Sequence, residues 1–440
     1  MRLPPDCVFV PLVAGQLLVS REHAVFCPVP AAEVAAVRAA LDDGRGVAAL
    51  APALRGELER HGFFGPPRPA PPAAPSVQLQ LTNACNLTCA YCCTNSGQPR
   101  PAELDLAHFL DVVRDVRATM GPGTRVALLG GEPLLVPWAL DLAEAIVAAG
   151  LSLCVFTNGV PLAEGAAAAR VAALTRRGAE VRVSLAGPTA EICDALSGAA
   201  RFAGVLRGVA ALVGAGGACT VDLMLMPQHV AEVATHLPAL RRQLPPGTPI
   251  AIGVLYLSGR EQGQHLFGSR AALEAALDDV AFGAGEIIAA APRAPVAERR
   301  EGCGCALGHH LHVRSDGALF TCFKMEERVG DLRAIGFAEA LGAVQARPHP
   351  AATLAACAGC AFATLCGGGC RSENLQYTGD PDEPLCGEWR VRVLAELLAE
   401  EHVGAVEWPV AHLLAEAHRR GIPAPARLVP RVPSRNLKET

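Results

Sequence analysis

Residues 77–92, VQLQLTNACNLTCAYC, place Cys85, Cys89 and Cys92 directly behind an apolar, β-prone run. A strand over 77–82 should therefore deliver three cysteines onto the loop at its C-terminal end. Three thiolates are one short of closing a four-ligand metal site. On a cubane iron-sulfur cluster, which takes four cysteines, they leave one iron open to a ligand. A zinc knuckle or a buried packing set uses the same residue type. Cys93 reads as a packing cysteine.

Outward from this stretch, residues 77–291 repeat as strand then helix. Strands are predicted over 77–82, 125–129, 151–157, 180–185, 220–226 and 249–256, and amphipathic helices over 106–120, 137–149, 166–177, 230–243 and 271–290. That alternation implies an α/β unit with a parallel sheet covered by helices, either an open barrel or a doubly wound sheet. In barrels the chemistry sits on the loops after the strands, where the three cysteines fall. The next strand ends carry Gly130-Gly131-Glu132-Pro133, Thr157-Asn158-Gly159, and Ser184 followed by Gly187-Pro188. The glycines should let a ligand approach the backbone, and Glu132 offers a carboxylate suited to an ammonium group. After the sixth strand, Arg260 in Ser258-Gly259-Arg260-Glu261 is suited to a ligand carboxylate or, equally, to a surface turn with a local ion pair.

The spacing C-x3-C-x2-C with Tyr91 before the last cysteine, followed in order by these segments, resembles the radical S-adenosylmethionine (SAM) superfamily over about residues 77–260. The resemblance implies a partial (β/α)6 radical SAM barrel. It implies that Cys85, Cys89 and Cys92 hold a catalytic [4Fe-4S] cluster, whose open iron takes the amino and carboxylate groups of SAM. By the same resemblance Gly130, Gly131 and Glu132 meet the methionyl amine, Tyr91 the adenine and Ser184 the sugar or carboxylate, with Thr157 and Asn158 also at the cofactor. Relatives usually carry an aspartate after the serine and leucine of the fourth strand, whereas this chain has Ala186, so any role of that aspartate is absent.

Ahead of the barrel, residues 1–64 read as a small α+β module, with strands over 8–20 and 23–29 and helices over 31–41 and 47–61. A stiff proline-rich linker, 65–76, follows. Behind the barrel, residues 292–421 hold eight cysteines: Cys303, Cys305, Cys322, Cys357, Cys360, Cys366, Cys370 and Cys386. Eight thiolates suffice for two clusters or for two zinc sites. Gly317-x4-Cys322, then C-x2-C-x5-C-x3-C and Cys386, resemble the SPASM extension of radical SAM maturases. That resemblance implies two auxiliary [4Fe-4S] clusters, the nearer on Cys303, Cys305, Cys322 and Cys370, the farther on Cys357, Cys360, Cys366 and Cys386. The close Cys303-x-Cys305 pair leaves open which of the two is a ligand. His310 and His312 alternate as on a strand face and, with His309, are assigned no metal. A leucine-rich helix is expected over 390–401, and 422–440 reads as a loosely ordered tail.

The 440 residues are 51% hydrophobic and 18% charged, enough for two or three globular domains. The net charge of −5 gives no nucleic-acid signature, and no run reaches the length of a membrane span. Seventeen cysteines clustered in metal-ligand spacings suit a reducing cytoplasm better than a disulfide framework. The resemblance thus implies an oxidoreductase-type radical SAM/SPASM maturase. It would act on a ribosomally made precursor peptide and draw electrons from a donor such as flavodoxin or ferredoxin, without nucleic acid or membrane. In sulfatase-type formylglycine maturases an aspartate base follows the Gly-x4-Cys cysteine; here Phe323-Lys324 follows Cys322, which demotes that alternative. A non-catalytic metal-binding or redox-sensing scaffold would have no use for the Gly-Gly-Glu segment.

Overall fold

The structure is a computed structural model, and it describes residues 1–12, 15–42, 46–67, 75–283, 302, 307–346, 350–360 and 362–385. The N-terminal module is an antiparallel sheet of β1 (Cys7–Leu12), β2 (Gly15–Ser20) and β3 (Val25–Val29), in that order, with helices α1 (Val34–Asp42) and α2 (Pro52–Arg60). Side-chain alternation gives this sheet two apolar faces. Leu18, Val25, Cys27 and Val29 pack on Val37, Leu54 and Leu58 of the helices. Leu17, Val19 and Phe26 point the other way, onto Phe362 and Leu365 of the cysteine-rich end. The Thr364 hydroxyl adds a hydrogen bond to the Arg21 carbonyl at 2.6 Å. The module is therefore docked across the chain, because so small a unit has too little core to bury both sheet faces alone.

The barrel runs β4 (Ser76–Gln80), α3 (Leu106–Thr119), β5 (Arg125–Leu129), α4 (Ala139–Ala148), β6 (Ser152–Thr157), α5 (Gly165–Thr175), β7 (Glu180–Leu185), α6 (Ala190–Ser197), α7 (Phe202–Gly214), β8 (Thr220–Met224), α8 (Val230–Gln243), β9 (Ile250–Gly253) and α9 (Arg270–Gly283). The six strands pair in parallel, in sequence order, from β4 to β9. A doubly wound sheet reverses its strand order at a switch point, so the unreversed order decides for the open barrel. Strand and helix positions follow the pattern of the sequence to within a few residues, except that two helices, α6 and α7, stand between β7 and β8.

A further hairpin continues the same sheet. β10 (His310–Val313) pairs in parallel with β4, and β11 (Ala318–Cys322) and β12 (Met325–Asp331) follow antiparallel, giving nine strands with β12 and β9 at the two ends. Helix α10 (Leu332–Gln345, broken at Gly336) covers this extension, and Phe337, Ala340 and Leu341 join Val77, Leu79 and Val313 in one core. The first part of the predicted cysteine-rich unit is thus built onto the barrel edge. Short helices α11 (Ala363–Cys366) and α12 (Arg371–Thr378) complete the described part. The linker residues 68–74, Cys303, Cys305, Cys386, the expected helix over 390–401 and the tail 422–440 lie outside the described residues. No single described helix is long and apolar enough to cross a membrane.

Candidate active site

Strands buried on both faces read as continuous apolar runs, as β5 and β6 do, but β4, β7 and β8 alternate. Val77 and Leu79, Val181 and Val183, and Val221 and Leu223 face the helices, while Gln78, Arg182, Ser184 and Asp222 face inward. These inward residues line a cavity of about 450 Å³. Its floor carries a two-pronged ion pair, with Arg182 Nε donating to Asp222 Oδ2 at 2.9 Å and Nη2 donating to Oδ1. Cys85, Cys89, Tyr91 and Cys92 line the same cavity, as do Gly130, Gly131, Thr157, Asn158 and Ser184. The fold thereby brings together every residue that the sequence placed at this site except the Glu132 side chain.

The cysteine loop is fixed from several sides. At its start Glu103 accepts from the Asn83 N–H at 2.6 Å, the Arg100 N–H at 2.9 Å, and the Thr82 and Ser315 hydroxyls at 2.7 and 2.9 Å. Burial opposes its charge, but these donors outweigh it and hold Glu103 below the usual carboxylate range. At its far end Arg260 Nη1 donates to the Cys89 carbonyl at 2.6 Å, Nη2 to the Ser96 carbonyl, and Nε to Asn95 Oδ1 at 3.3 Å. The Arg260 N–H donates to the Cys92 carbonyl at 2.8 Å, and Ser258 Oγ to the Cys93 carbonyl at 2.7 Å. Gly259 has φ +66° and passes so near Cys93 that a Cβ would lie 2.4 Å from its carbonyl oxygen. Arg260 is therefore a clamp on the cysteine loop, neither a ligand-binding arginine nor a surface ion pair. Sequence reasoning could not see this, since the partners, two of them backbone carbonyls, lie 164 to 171 residues away.

The Gly-Gly-Glu segment also serves the loop. A Cβ on Gly131 would sit 2.1 Å from the Ala84 carbonyl oxygen, and one on Gly130 would sit 2.7 Å from that of Thr82. The Gly131 and Glu132 N–H groups donate to Thr82 and Ala84 at 2.8 and 2.9 Å. The close approach that these glycines permit is that of the chain itself. Glu132 is fully buried behind the cavity wall, where it accepts from Thr157 Oγ1 at 2.8 Å, the Asn158 N–H at 2.6 Å and the Leu134 N–H at 3.0 Å. Burial pushes its pKa up to about 7 despite those donors. Asn158 in turn donates to Asn86 Oδ1 at 2.7 Å, which ties the third strand end to the cysteine loop.

Arg201 is the residue that the sequence did not single out. It stands at the N-terminus of α7, is 3% exposed and lines the cavity, yet its Nε and Nη2 have no hydrogen-bond partner among the described residues. Burial works against its charge, but Tyr91, Cys193 and Cys89 beside it raise its pKa above the ordinary value. A buried guanidinium with unused donors beside an open cavity is built for an anion. The alternation in β7 and β8 is the sequence signal that the cavity exists; nothing local marks Arg201.

Burial pushes Cys85 up to about 11 and also raises Cys89, so both are neutral thiols until metal displaces the proton. Among the described residues no three ligand-type side chains converge closely enough to share one metal ion. At the cysteine-rich end, Gly367, Gly368 and Gly369 all have positive φ, a tight reversal between Cys366 and Cys370 that glycine alone makes readily. His310 and His312 lie on β10, and burial lowers them to about 4 and about 3, so both are neutral strand residues.

Residues 79–237 match the Radical SAM superfamily. Among characterised proteins the chain is similar to the mycofactocin maturase MftC of Mycobacterium ulcerans, at 33% identity over 150 residues, 34% of this chain and 39% of that protein. The match thus spans about two fifths of the relative's length. Among solved structures, anSMEcpe with bound AdoMet and Kp18Cys peptide aligns over 78% of this chain and 99% of that one, at 16% identity and a TM-score of 0.54. Streptococcus suis SuiB bound to precursor peptide SuiA aligns over 87% of this chain and 98% of that one, at 14% identity and a TM-score of 0.50. At such identities the structural likeness concerns the fold.

Proposed function

The chain belongs to the radical SAM superfamily, and from that premise we propose that it is a peptide maturase which cleaves SAM reductively and oxidatively modifies a ribosomally made precursor. The observation that carries the reading is one cavity, at the C-terminal ends of parallel strands, lined by three thiols together with Arg201, whose buried Nε and Nη2 have no hydrogen-bond partner among the described residues. A [4Fe-4S] cluster bound there would supply the electron for reductive cleavage of SAM. Cys85, Cys89 and Cys92 would hold it, and their number leaves one coordination position for the amino acid end of SAM. Arg201 would take the SAM carboxylate, Ser184 and Asn158 its polar groups, and Tyr91 would flank the adenine. The apolar part of the wall, with Phe156, Met224 and Ile252, excludes water from a reactive radical. Cys303, Cys305, Cys322, Cys370 and Cys357, Cys360, Cys366, Cys386 would carry two auxiliary clusters that accept electrons from the modified substrate.

Peptide as the substrate class is supported by the named maturase relative and by the N-terminal module. Its sheet has β1 and β3 as edge strands, and an extended peptide adds to such an edge through main-chain hydrogen bonds. The module's docking on Phe362 and Leu365 would hold a bound leader beside the cluster domain. A low-potential donor such as flavodoxin or ferredoxin completes the electron supply, and a cytoplasmic setting suits oxygen-sensitive clusters.

Anaerobic reconstitution with iron, sulfide and zinc analysis, combined with a 5'-deoxyadenosine assay, tests the reading. About twelve irons per chain are expected for three cubanes, with SAM cleavage abolished when Cys85, Cys89 and Cys92 are all replaced by alanine. Cleavage that survives in that variant, or a protein holding zinc in place of iron, would overturn it.

A further inference from the structure

The residue that caps the start of a helix is favoured when its short side chain accepts from the free N–H groups, and the positive end of the helix dipole disfavours a cation there. Arg201 breaks both preferences. It stands at the head of α7, and its own side chain makes no capping hydrogen bond. The acceptor comes instead from the preceding helix, where Oδ1 of Asp194 in α6 accepts from the Arg201 N–H and the Phe202 N–H, both at 2.8 Å. One carboxylate oxygen thus holds the backbone of Arg201 from seven residues away. It takes up neither Nε nor Nη2 of the guanidinium, which stay without a partner among the described residues. Residues that defy local preference in this way mark functional or strained positions. The same corner is tied to the cysteine loop, since the Thr88 N–H donates to the Ser197 carbonyl at 3.2 Å and the Ala90 N–H to the Leu196 carbonyl at 3.0 Å. Gly198 turns the chain between the two helices with φ +69°, and a Cβ there would lie 2.3 Å from Thr88 Oγ1.

We infer that Asp194 is a positioning residue for the carboxylate of SAM: by holding the first N–H groups of α7 it sets where the Arg201 guanidinium stands relative to the cysteine loop. Asp194 is not among the residues that line the cavity, so it acts through Arg201 alone. Its negative charge also offsets the repulsion between the helix end and the guanidinium. The inference rests on the reading of Arg201 as the partner of the SAM carboxylate given above.

The test uses full-length, cluster-loaded protein, assayed for iron, with two ligands: SAM and decarboxylated SAM, which lacks the carboxylate. Calorimetric titration gives the ratio of the two affinities in the parent, in Asp194→Ala, Asp194→Asn and Arg201→Met, and in the Asp194→Ala, Arg201→Met double variant. Both ligands are read on one preparation, so the ratio does not depend on how much of the protein has folded. Asp194→Ala should lower the preference for SAM about 3- to 10-fold, as expected for the loss of a helix cap. Asp194→Asn keeps an acceptor oxygen and should recover most of it. In the Arg201→Met background the Asp194 substitution should change the preference no further, because a residue that acts through another has nothing left to act on. A cap with a structural role alone would lower the urea midpoint and leave the preference where it was, and that result would overturn the inference, as would losses that simply add in the double variant. Where Asp194→Ala does not fold, Asp194→Ser carries the same comparison. A parent that binds both ligands equally, or neither, would instead remove the SAM reading of Arg201 and the inference with it.

Discussion

The Arg260 guanidinium donates to the Cys89 carbonyl at 2.6 Å, joining the loop after β9 to the cysteine loop after β4 across 171 residues of sequence. With the contacts to Ser96 and Asn95, this makes one side chain responsible for the path of the loop between its second cysteine and its exit. Charge-assisted hydrogen bonds contribute about 1.5–3 kcal/mol each. Arg260→Ala should therefore loosen the loop and drop about four irons per chain on reconstitution, one cubane's worth, with Arg260→Lys intermediate. Full iron in Arg260→Ala would show the clamp to be dispensable.

Gly131→Ala separates two roles for the Gly-Gly-Glu segment. If the glycine serves only a ligand, the variant should bind SAM poorly yet melt normally. Because its Cβ would lie 2.1 Å from the Ala84 oxygen, the expectation is instead a fall in stability of about 1–3 kcal/mol or more, with Gly130→Ala milder. Urea unfolding of the metal-free protein reads the difference.

Glu132 gives a pH dependence of unusual sign. Its folded pKa of about 7 exceeds the ordinary 4.5, so below pH 4.5 the group is protonated in both states and costs nothing. Between 4.5 and 7 the unfolded chain releases the proton while the folded one keeps it, and stability falls as pH rises. Above 7 the cost levels off, on the order of 3 kcal/mol at 1.36 kcal/mol per unit. Glu132→Gln should flatten this slope in urea unfolding from pH 4.5 to 8; an unchanged slope would place its origin elsewhere.

Arg201 should show the opposite of an ordinary core residue. A buried cation with two unpaired nitrogens costs stability in the absence of ligand, so Arg201→Met should fold at least as stably as the parent. The same variant should lose about 10- to 100-fold in SAM affinity, the equivalent of one charge-assisted hydrogen bond. Calorimetric titration of SAM into the cluster-loaded protein measures the loss, and wild-type affinity would remove Arg201 from the ligand site.

Phe362→Ala probes the docking of the N-terminal module. Truncating a buried phenylalanine costs about 3–5 kcal/mol, and here the cost falls on the contact with Leu17, Val19 and Phe26. Limited proteolysis should then cleave between the module and the barrel faster than in the parent while the barrel stays intact. Unchanged cleavage would mean that the linker alone fixes the module.

What the sequence by itself determined was local. The three-cysteine set, the strand-then-helix order and the Gly-Gly-Glu and Thr-Asn-Gly strand ends lie within short windows, where spacing fixes which groups share a loop. Period-two alternation in β7 and β8 also carried the polar inner face, though Arg182 and Asp222 gain meaning only when their strands pair. The tertiary structure decided the rest, because it depends on which distant strand ends meet. Gly131 looks the same in sequence whether its missing Cβ admits a ligand or the Ala84 carbonyl, and only packing distinguishes them. Arg260 could face ligand, solvent or backbone until the loop after β9 is laid over the cysteine loop. Arg201 and the extension of the barrel sheet by His310–Val313 are likewise products of assembly, since burial of the one and pairing of the other depend on elements distant in sequence.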